Sequence, residues 1–112
     1  MYDLYEELQR KLDLLDIAIK ELRKRGSDYA QAERDYRVEL AKAILGCREQ
    51  GMPATITADV CRGRKDIANL RFDRDCKEVA YKAAMEAING YKLQIRILDA
   101  QIQREWGQAG MS

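Results

Sequence analysis

The segment from residue 64 to about residue 106 predicts one long helix. It contains no proline, and its one glycine is Gly90. Apolar residues recur in it at alternating spacings of three and four, which is typical of an α-helix rather than of a strand. A helix of this length would extend about 60 Å at 1.5 Å per residue, so other helices must lie along it to cover its apolar seam. That seam consists of Tyr81, Ala84, Ile88, Tyr91, Ile95, Leu98 and Ile102.

The first half of the chain predicts two shorter helices, over residues 2–25 and 28–50. Basic residues at 23–25 complement the negative end of a helix, and Gly26 is a typical residue for ending one. Gly51 and Pro53 predict the end of the second helix. The predicted a and d positions of the first helix are Tyr5, Leu8, Leu12, Leu15, Ile19 and Leu22. The predicted apolar face of the second is Tyr29, Ala32, Tyr36, Leu40, Ala43, Ile44 and Cys47.

Residues 51–63 predict a connector that contains a short helix over residues 58–62, capped by Thr55 or Thr57. With this connector, the three helices make a single domain over residues 1–112. The expected fold is all-α: an elongated helical bundle with coiled-coil character, in which a helical hairpin packs along one long C-terminal helix.

The composition argues against catalysis and metal binding. The chain has no histidine, which is the commonest general base and zinc ligand. Cys47, Cys61 and Cys76 are too widely spaced for a zinc motif or a CxxC pair. We therefore predict no enzyme, no cofactor, no catalytic residue and no metal site. The cysteines are expected as reduced thiols, with Cys61 the most reactive because of its neighbours Arg62 and Gly63.

The sequence predicts a cytoplasmic protein without a membrane segment. The N-terminus is charged from its third residue, Asp3, and does not resemble a signal peptide. No run approaches the roughly 20 apolar residues that are needed to cross a bilayer.

A cluster of basic residues surrounds the predicted start of the long helix. It comprises Arg62, Arg64, Lys65, Arg71, Arg74 and Lys77. Such a cluster can bind phosphate groups or the carboxylates of a partner. Acidic residues occupy the same window, however, and the whole chain carries 20 basic and 19 acidic residues. A partner-binding surface and a solvated, ion-paired surface therefore both remain open.

The apolar seams of the long helix exceed what a hairpin of this length can cover, and Leu93 and Ile97 indicate a second contact face. Uncovered apolar stripes indicate a partner, and the simplest partner is a second copy. We predict a homo-oligomer, most simply a two-fold dimer. The predicted interface residues are Tyr91, Ile95, Leu98, Ile102 and Trp106.

Most of the chain resembles a known group of proteins. The segments DYAQAERDYRVELAKAIL, GMPATITADVCRGRKDIANLRFDRD and YKAAMEAINGYKLQIRILDAQIQREW, within residues 28–106, resemble small uncharacterised proteins of bacteriophages and prophages of Gram-positive bacteria. The resemblance implies an accessory phage protein made in the host cytoplasm. It carries no site residues with it.

The leading functional expectation is a non-enzymatic phage-type protein that binds a macromolecular partner and inhibits a host defence or nucleic-acid-processing complex. One alternative is a nucleic-acid-binding accessory factor that uses the basic cluster. A second alternative is a structural assembly protein.

Overall fold

The computed structural model describes residues 3–111, and side chains for residues 3–107. These residues form three helices: α1 (Leu4–Glu49), α2 (Ala54–Arg62) and α3 (Lys65–Met111). No strand occurs in the described part of the chain. The predicted all-α class is confirmed, including the long C-terminal helix and its packing against helical partners. Helix α3 continues past the predicted end at residue 106, and the predicted first helical position, residue 2, lies outside the described residues.

The predicted break at Gly26 is wrong, because α1 passes through this residue without interruption. The Tyr81 ring lies directly against the glycine. A Cβ atom added at Gly26 would be 3.0 Å from Tyr81 Cε2, so the missing side chain makes room for the tyrosine. The predicted helices 2–25 and 28–50 are thus one helix, and the reversal of the chain lies near residues 50–53 instead.

The predicted end of the helix at Gly51 is confirmed. Gly51 has a φ of 93°, which glycine adopts without the steric cost that a side chain would add. Its N–H donates to the Arg48 carbonyl at 3.0 Å, and the Met52 N–H donates to the Cys47 carbonyl at 3.0 Å. These two bonds form a Schellman motif, which satisfies carbonyls that the helix end would otherwise leave unpaired.

Helix α2 begins at Ala54, four residues before the predicted start. Pro53 is its N-cap residue, with φ −61° and ψ 138°, in place of the predicted threonine cap. Thr57 instead lies inside the helix, where its hydroxyl donates to the Pro53 carbonyl at 2.7 Å. The Thr55–Thr57 stretch is therefore helical, although its β-branched residues disfavour helix slightly.

The chain divides into two compact units. Unit 2 spans Lys24–Tyr81 and contains α2 together with the adjoining parts of α1 and α3. The α1 and α3 parts run antiparallel, as the Tyr29–Tyr81 and Glu33–Arg74 contacts show. Its core comprises the buried residues Tyr36, Ala43, Cys61 and Ile67, with Leu40, Ile44, Cys47 and Leu70 packed against them. The apolar face predicted for residues 29–47 is thus confirmed.

Unit 1 contains the described residues up to Arg23 and from Lys82 onwards. Only α1 and α3 contribute to it. Its buried residues are Leu4, Ala84, Ile88 and Ile102, which confirms the predicted seam of α3. The predicted inward positions Tyr5 and Leu12 are instead 56% and 38% exposed. Leu4, the residue before Tyr5, is buried instead.

Candidate functional site

The cationic cluster at the start of α3 is largely paired with carboxylates. Arg62 contacts Asp59 at 3.1 Å, and Arg64 contacts Asp66 at 2.8 Å. The hydrogen bond from Arg64 lowers the pKa of the Asp66 carboxyl and raises the pKa of the Arg64 guanidinium. Both pairs lie at the surface, where they contribute little to stability but reduce the charge available to a ligand.

Arg74 makes contacts to both α1 and α3. Its guanidinium lies 2.8 Å from Asp75 and 3.2 Å from Glu33 on α1. It also stacks over the Tyr36 ring at 4.8 Å from the ring centre, in a cation–π contact. The hydrogen bond to Asp75 and the nearby Glu33 charge raise the pKa of Arg74. These contacts make Arg74 a link between α1 and α3 in unit 2.

The last three members of the cluster differ in their pairing. Lys77 contacts Asp73 at 2.9 Å, and this hydrogen bond raises the pKa of Lys77. Lys65 and Arg71 are exposed and form no ion pair among the residues that the structure describes. The predicted partner-binding cluster therefore consists of four paired cations and two that remain available.

An exposed apolar surface, here called the Phe72 face, lies in the same part of α3. It consists of Phe72, Cys76 and Val79, at spacings of four and three, so that all three share one side of the helix. Phe72 is 71% exposed and Val79 is 67% exposed. Ile67 and Leu70, the neighbouring apolar residues of α3, instead pack in the core of unit 2. Phe72 is five residues after Ile67 and two after Leu70, and these spacings place it on another side of the helix. The exposure of Phe72 was therefore predictable from its spacing in the sequence.

A second apolar surface, the unit 1 groove, lies between α1 and α3. Leu12 and Leu15 of α1 line it opposite Ile95 of α3, and Lys92 and Arg96 form its edge on α3. The groove is open to solvent and has a volume of about 400 Å³. Leu12 was predicted at an inward position of the first helix, and of the groove residues only Ile95 belongs to the predicted oligomer interface.

The predicted oligomer-interface residues have different environments. Ile102 is buried within unit 1, at 5% exposure, and Trp106 is 64% exposed. Tyr91, Ile95 and Leu98 are half-buried. Only part of this set is thus available to a second molecule, and its role in an oligomer stays a prediction.

The three cysteines are free thiols in three environments. Cys61 is buried, Cys47 is half-buried and Cys76 is exposed. Burial raises the pKa of the Cys61 thiol, and the neighbouring Cys47 raises it further. The expectation that Cys61 is the most reactive cysteine is therefore wrong, because the thiolate is the reactive form and burial disfavours it.

No group of three or more potential metal-ligating residues comes together in the described part of the chain. None of the described helices combines the length and the apolarity that a membrane crossing requires. No family model, curated protein or solved structure matches this chain. The features of the described chain that bear on its function are the two apolar surfaces and the two available cations.

Proposed function

We propose that this chain is a small non-enzymatic protein that acts by binding other proteins, beginning with a second copy of itself. The observation that supports this most directly is the unit 1 groove. Leu12 is 38% exposed there, and Leu15 and Ile95 line the same depression of about 400 Å³. Covering apolar surface is favourable by roughly 25 cal/mol per Å², and a further helix has the shape to cover it.

The charges around the groove favour a second copy as its occupant. Lys92 and Arg96 form a positive edge on the α3 side. Asp16 is exposed, and it lies four residues after Leu12, which puts it on the same side of α1. A two-fold interface brings one patch against the same patch of the other molecule. If α1 of one copy lies against α3 of the other, each Asp16 faces the cationic edge of its counterpart.

Size-exclusion chromatography with light scattering tests this interface. We expect the unchanged protein to be a dimer, and Leu12→Glu to be a monomer because it places a charge in the groove. Phe72→Glu is the matched control, since it alters a more exposed apolar residue in unit 2 and should leave the dimer intact. A monomeric unchanged protein, or dissociation by Phe72→Glu alone, would contradict the groove interface. A defined larger oligomer would favour the structural assembly alternative.

A charge exchange tests the orientation of the two copies. Asp16→Arg and Arg96→Asp should each weaken the dimer by roughly tenfold, since each leaves two unfavourable charge contacts. The double variant should recover most of the lost affinity, because the opposite charges again face each other. Equal dissociation constants for all four proteins would exclude this pairing of α1 with α3.

The Phe72 face supports binding to a different protein. Anchors at i, i+4 and i+7 are the usual pattern for a helix that enters an apolar groove, and the available Lys65 and Arg71 favour an acidic rim on that partner. For this contact we propose a role in inhibiting a host defence complex or a nucleic-acid-processing complex. A photoreactive phenylalanine at position 72 should crosslink one host protein. The same group in place of Leu45, which is 63% exposed on α1, is the control and should not crosslink it. Phe72→Ala should then weaken binding to that purified protein at least tenfold.

Nucleic-acid binding is the second candidate, and it depends on Lys65 and Arg71. With two available cations, binding should release about two counterions, and this number sets how steeply the binding constant falls as the salt concentration rises. Fluorescence anisotropy with single- and double-stranded oligonucleotides at 50 and 200 mM salt measures this slope. A Lys65→Glu/Arg71→Glu variant that binds oligonucleotides like the unchanged protein would exclude this function.

A further inference from the structure

Two thiols from different helices are in direct contact in the core of unit 2. The Cys61 thiol donates to the Cys47 sulfur over an Sγ–Sγ distance of 3.7 Å. Cys47 lies in the last turn of α1 and Cys61 in the last turn of α2. A disulfide has an S–S distance of about 2.05 Å, so the two sulfur atoms need to approach by less than 2 Å to bond.

The two thiols differ in their access to solvent. Cys61 has an exposure of 0%, whereas Cys47 is half-buried. A small oxidant dissolved in water therefore reaches Cys47 first. Two neighbouring charges act on Cys61 in opposite directions. The Arg64 guanidinium lowers the pKa of its thiol, and the Asp66 carboxylate, with which Arg64 is paired, raises it. The second step therefore depends on the direct contact of the two sulfur atoms, at 3.7 Å, rather than on an activated Cys61 thiol.

We propose that Cys47 and Cys61 form an oxidation site that hydrogen peroxide, or another small hydroperoxide, converts to an intramolecular disulfide. The Cys47 thiolate attacks one peroxide oxygen, the O–O bond breaks, and Cys47 sulfenic acid and hydroxide form. The Cys61 thiolate then attacks the Cys47 sulfur, the S–O bond breaks, and hydroxide leaves. The two protons lost by the thiols convert both hydroxides to water. The cysteines together lose two electrons, and the peroxide gains them.

The disulfide would join α2 covalently to the end of α1. These two cysteines are 14 residues apart in the sequence, and the link between them includes the turn at residues 50–53. A bond across a loop of this size restricts the unfolded chain and raises thermal stability. With both thiols reduced, α2 already packs in the unit 2 core. Oxidation would thus fix this packing covalently, and reduction would leave it to non-covalent contacts alone.

Mass spectrometry after oxidation tests the proposal. A Cys76→Ser variant serves as the parent protein, because the exposed Cys76 could otherwise form bonds between molecules. The folded parent is treated with hydrogen peroxide, then unfolded and alkylated with iodoacetamide. We expect a mass loss of two hydrogens, no alkylation at either cysteine, and one crosslinked peptide that contains both. Dithiothreitol should restore two alkylation sites.

A second variant and a second readout separate the disulfide from other oxidation products. Cys47→Ser in the same background should keep one alkylatable cysteine after the same treatment. The melting temperature of the parent should rise by roughly 10 °C on oxidation and return on reduction, with no change for Cys47→Ser. Two alkylatable cysteines in the treated parent, addition of oxygen without the crosslinked peptide, or an unchanged melting temperature would overturn the proposal.

Discussion

Unit 2 buries its side chains more completely than unit 1, although α1 and α3 contribute to both. In unit 2, Thr57, Cys61 and Ile67 have exposures of 1%, 0% and 2%. The most buried side chain in the described part of unit 1 is Ile102, at 5%. The difference between them is α2, which supplies Thr57 and Cys61 and belongs to unit 2 alone. Two packed helices leave the side chains between them partly open to solvent, and a third helix encloses them.

This contrast explains where the chain needs a partner. Unit 2 has its own third helix, which helps to enclose its core, and the exposed Phe72 face lies outside that core. Unit 1 has none in the described part of the chain, and it leaves Leu12, Leu93 and Ile97 at 38%, 52% and 57% exposure. We therefore expect unit 1 to gain stability from association, and unit 2 to depend on its internal packing.

The largest effect should come from truncating a core side chain in unit 2. We expect Ile67→Ala to lower the free energy of unfolding by about 4 kcal/mol, because Ile67 is fully enclosed and leaves a cavity. Ile88→Ala is the matched change in unit 1 and should cost about 2 kcal/mol, since Ile88 is 6% exposed and lies in a seam that only two helices form. Urea unfolding followed by circular dichroism measures both values. Equal costs would mean that α2 does not make unit 2 the better-packed unit.

A smaller effect should follow the loss of the buried hydroxyl in α2. Thr57→Val keeps the shape of the side chain but removes the hydrogen bond to the Pro53 carbonyl, at 2.7 Å. The expected loss is about 1 kcal/mol. Thr55 is exposed, so Thr55→Val is the control and should change stability by less than about 0.5 kcal/mol. A Thr57→Val protein as stable as the control would show that this bond does not hold α2 in place.

Glycine substitutions should have opposite signs in the two units. A Cβ added at Gly90 in unit 1 would meet no atom within 4 Å beyond the local helix backbone and the adjoining residues, so Gly90→Ala should stabilise the protein by up to about 1 kcal/mol through helix propensity. Gly26→Ala should destabilise it by a similar amount. The new methyl group would press on the Tyr81 ring, which Tyr29 already contacts with ring centres 6.0 Å apart. Thermal unfolding measures both, and a stabilising Gly26→Ala would remove the packing explanation for the unbroken helix.

The smallest effect should be a loss of stability in acid that involves unit 2. The hydrogen bond from Arg37, and the Arg74 charge, lower the pKa of the Glu33 carboxyl in the folded protein. Its contribution to stability is therefore present above the unfolded pKa, near 4.3, and is lost as the pH falls through the lower, folded value. The drop in melting temperature from pH 6 to pH 3 should be slightly smaller for Glu33→Gln than for the unchanged protein. A larger drop in the variant would contradict this sign.

The sequence was sufficient for the helical class, the seam of α3 and the end of α1, because each depends on local spacing or on a local turn. The break at Gly26 was wrong for a reason that local sequence does not contain. Basic residues followed by glycine normally end a helix, but here a tyrosine 55 residues further along the chain occupies the space above Gly26. Long-range packing decided between two locally acceptable structures.

The candidate site was predictable to a similar degree. The charged cluster was evident from composition, but the pairing of Arg74 with Glu33 required the helices to be placed side by side. The groove was missed because Leu12 fits the a and d pattern of the first helix, and the pattern does not say how many helices enclose each position. The contact of Cys47 with Cys61 depends on where α2 lies. The start of this helix at Ala54 was not predicted, because the β-branched residues at 55–57 disfavour helix.

The Schellman turn at Gly51 also bears on the order in which the chain folds. It brings together residues that are close in sequence, such as the cysteines 14 positions apart, whereas the Arg25–Ala80 contact spans 55 positions. The entropy lost on closing a loop grows with its length, so contacts near the turn form at the least cost and those in unit 1 form last. In pulse labelling during refolding, amide protons of the helical residues near the turn should therefore become protected before those in the first turns of α1.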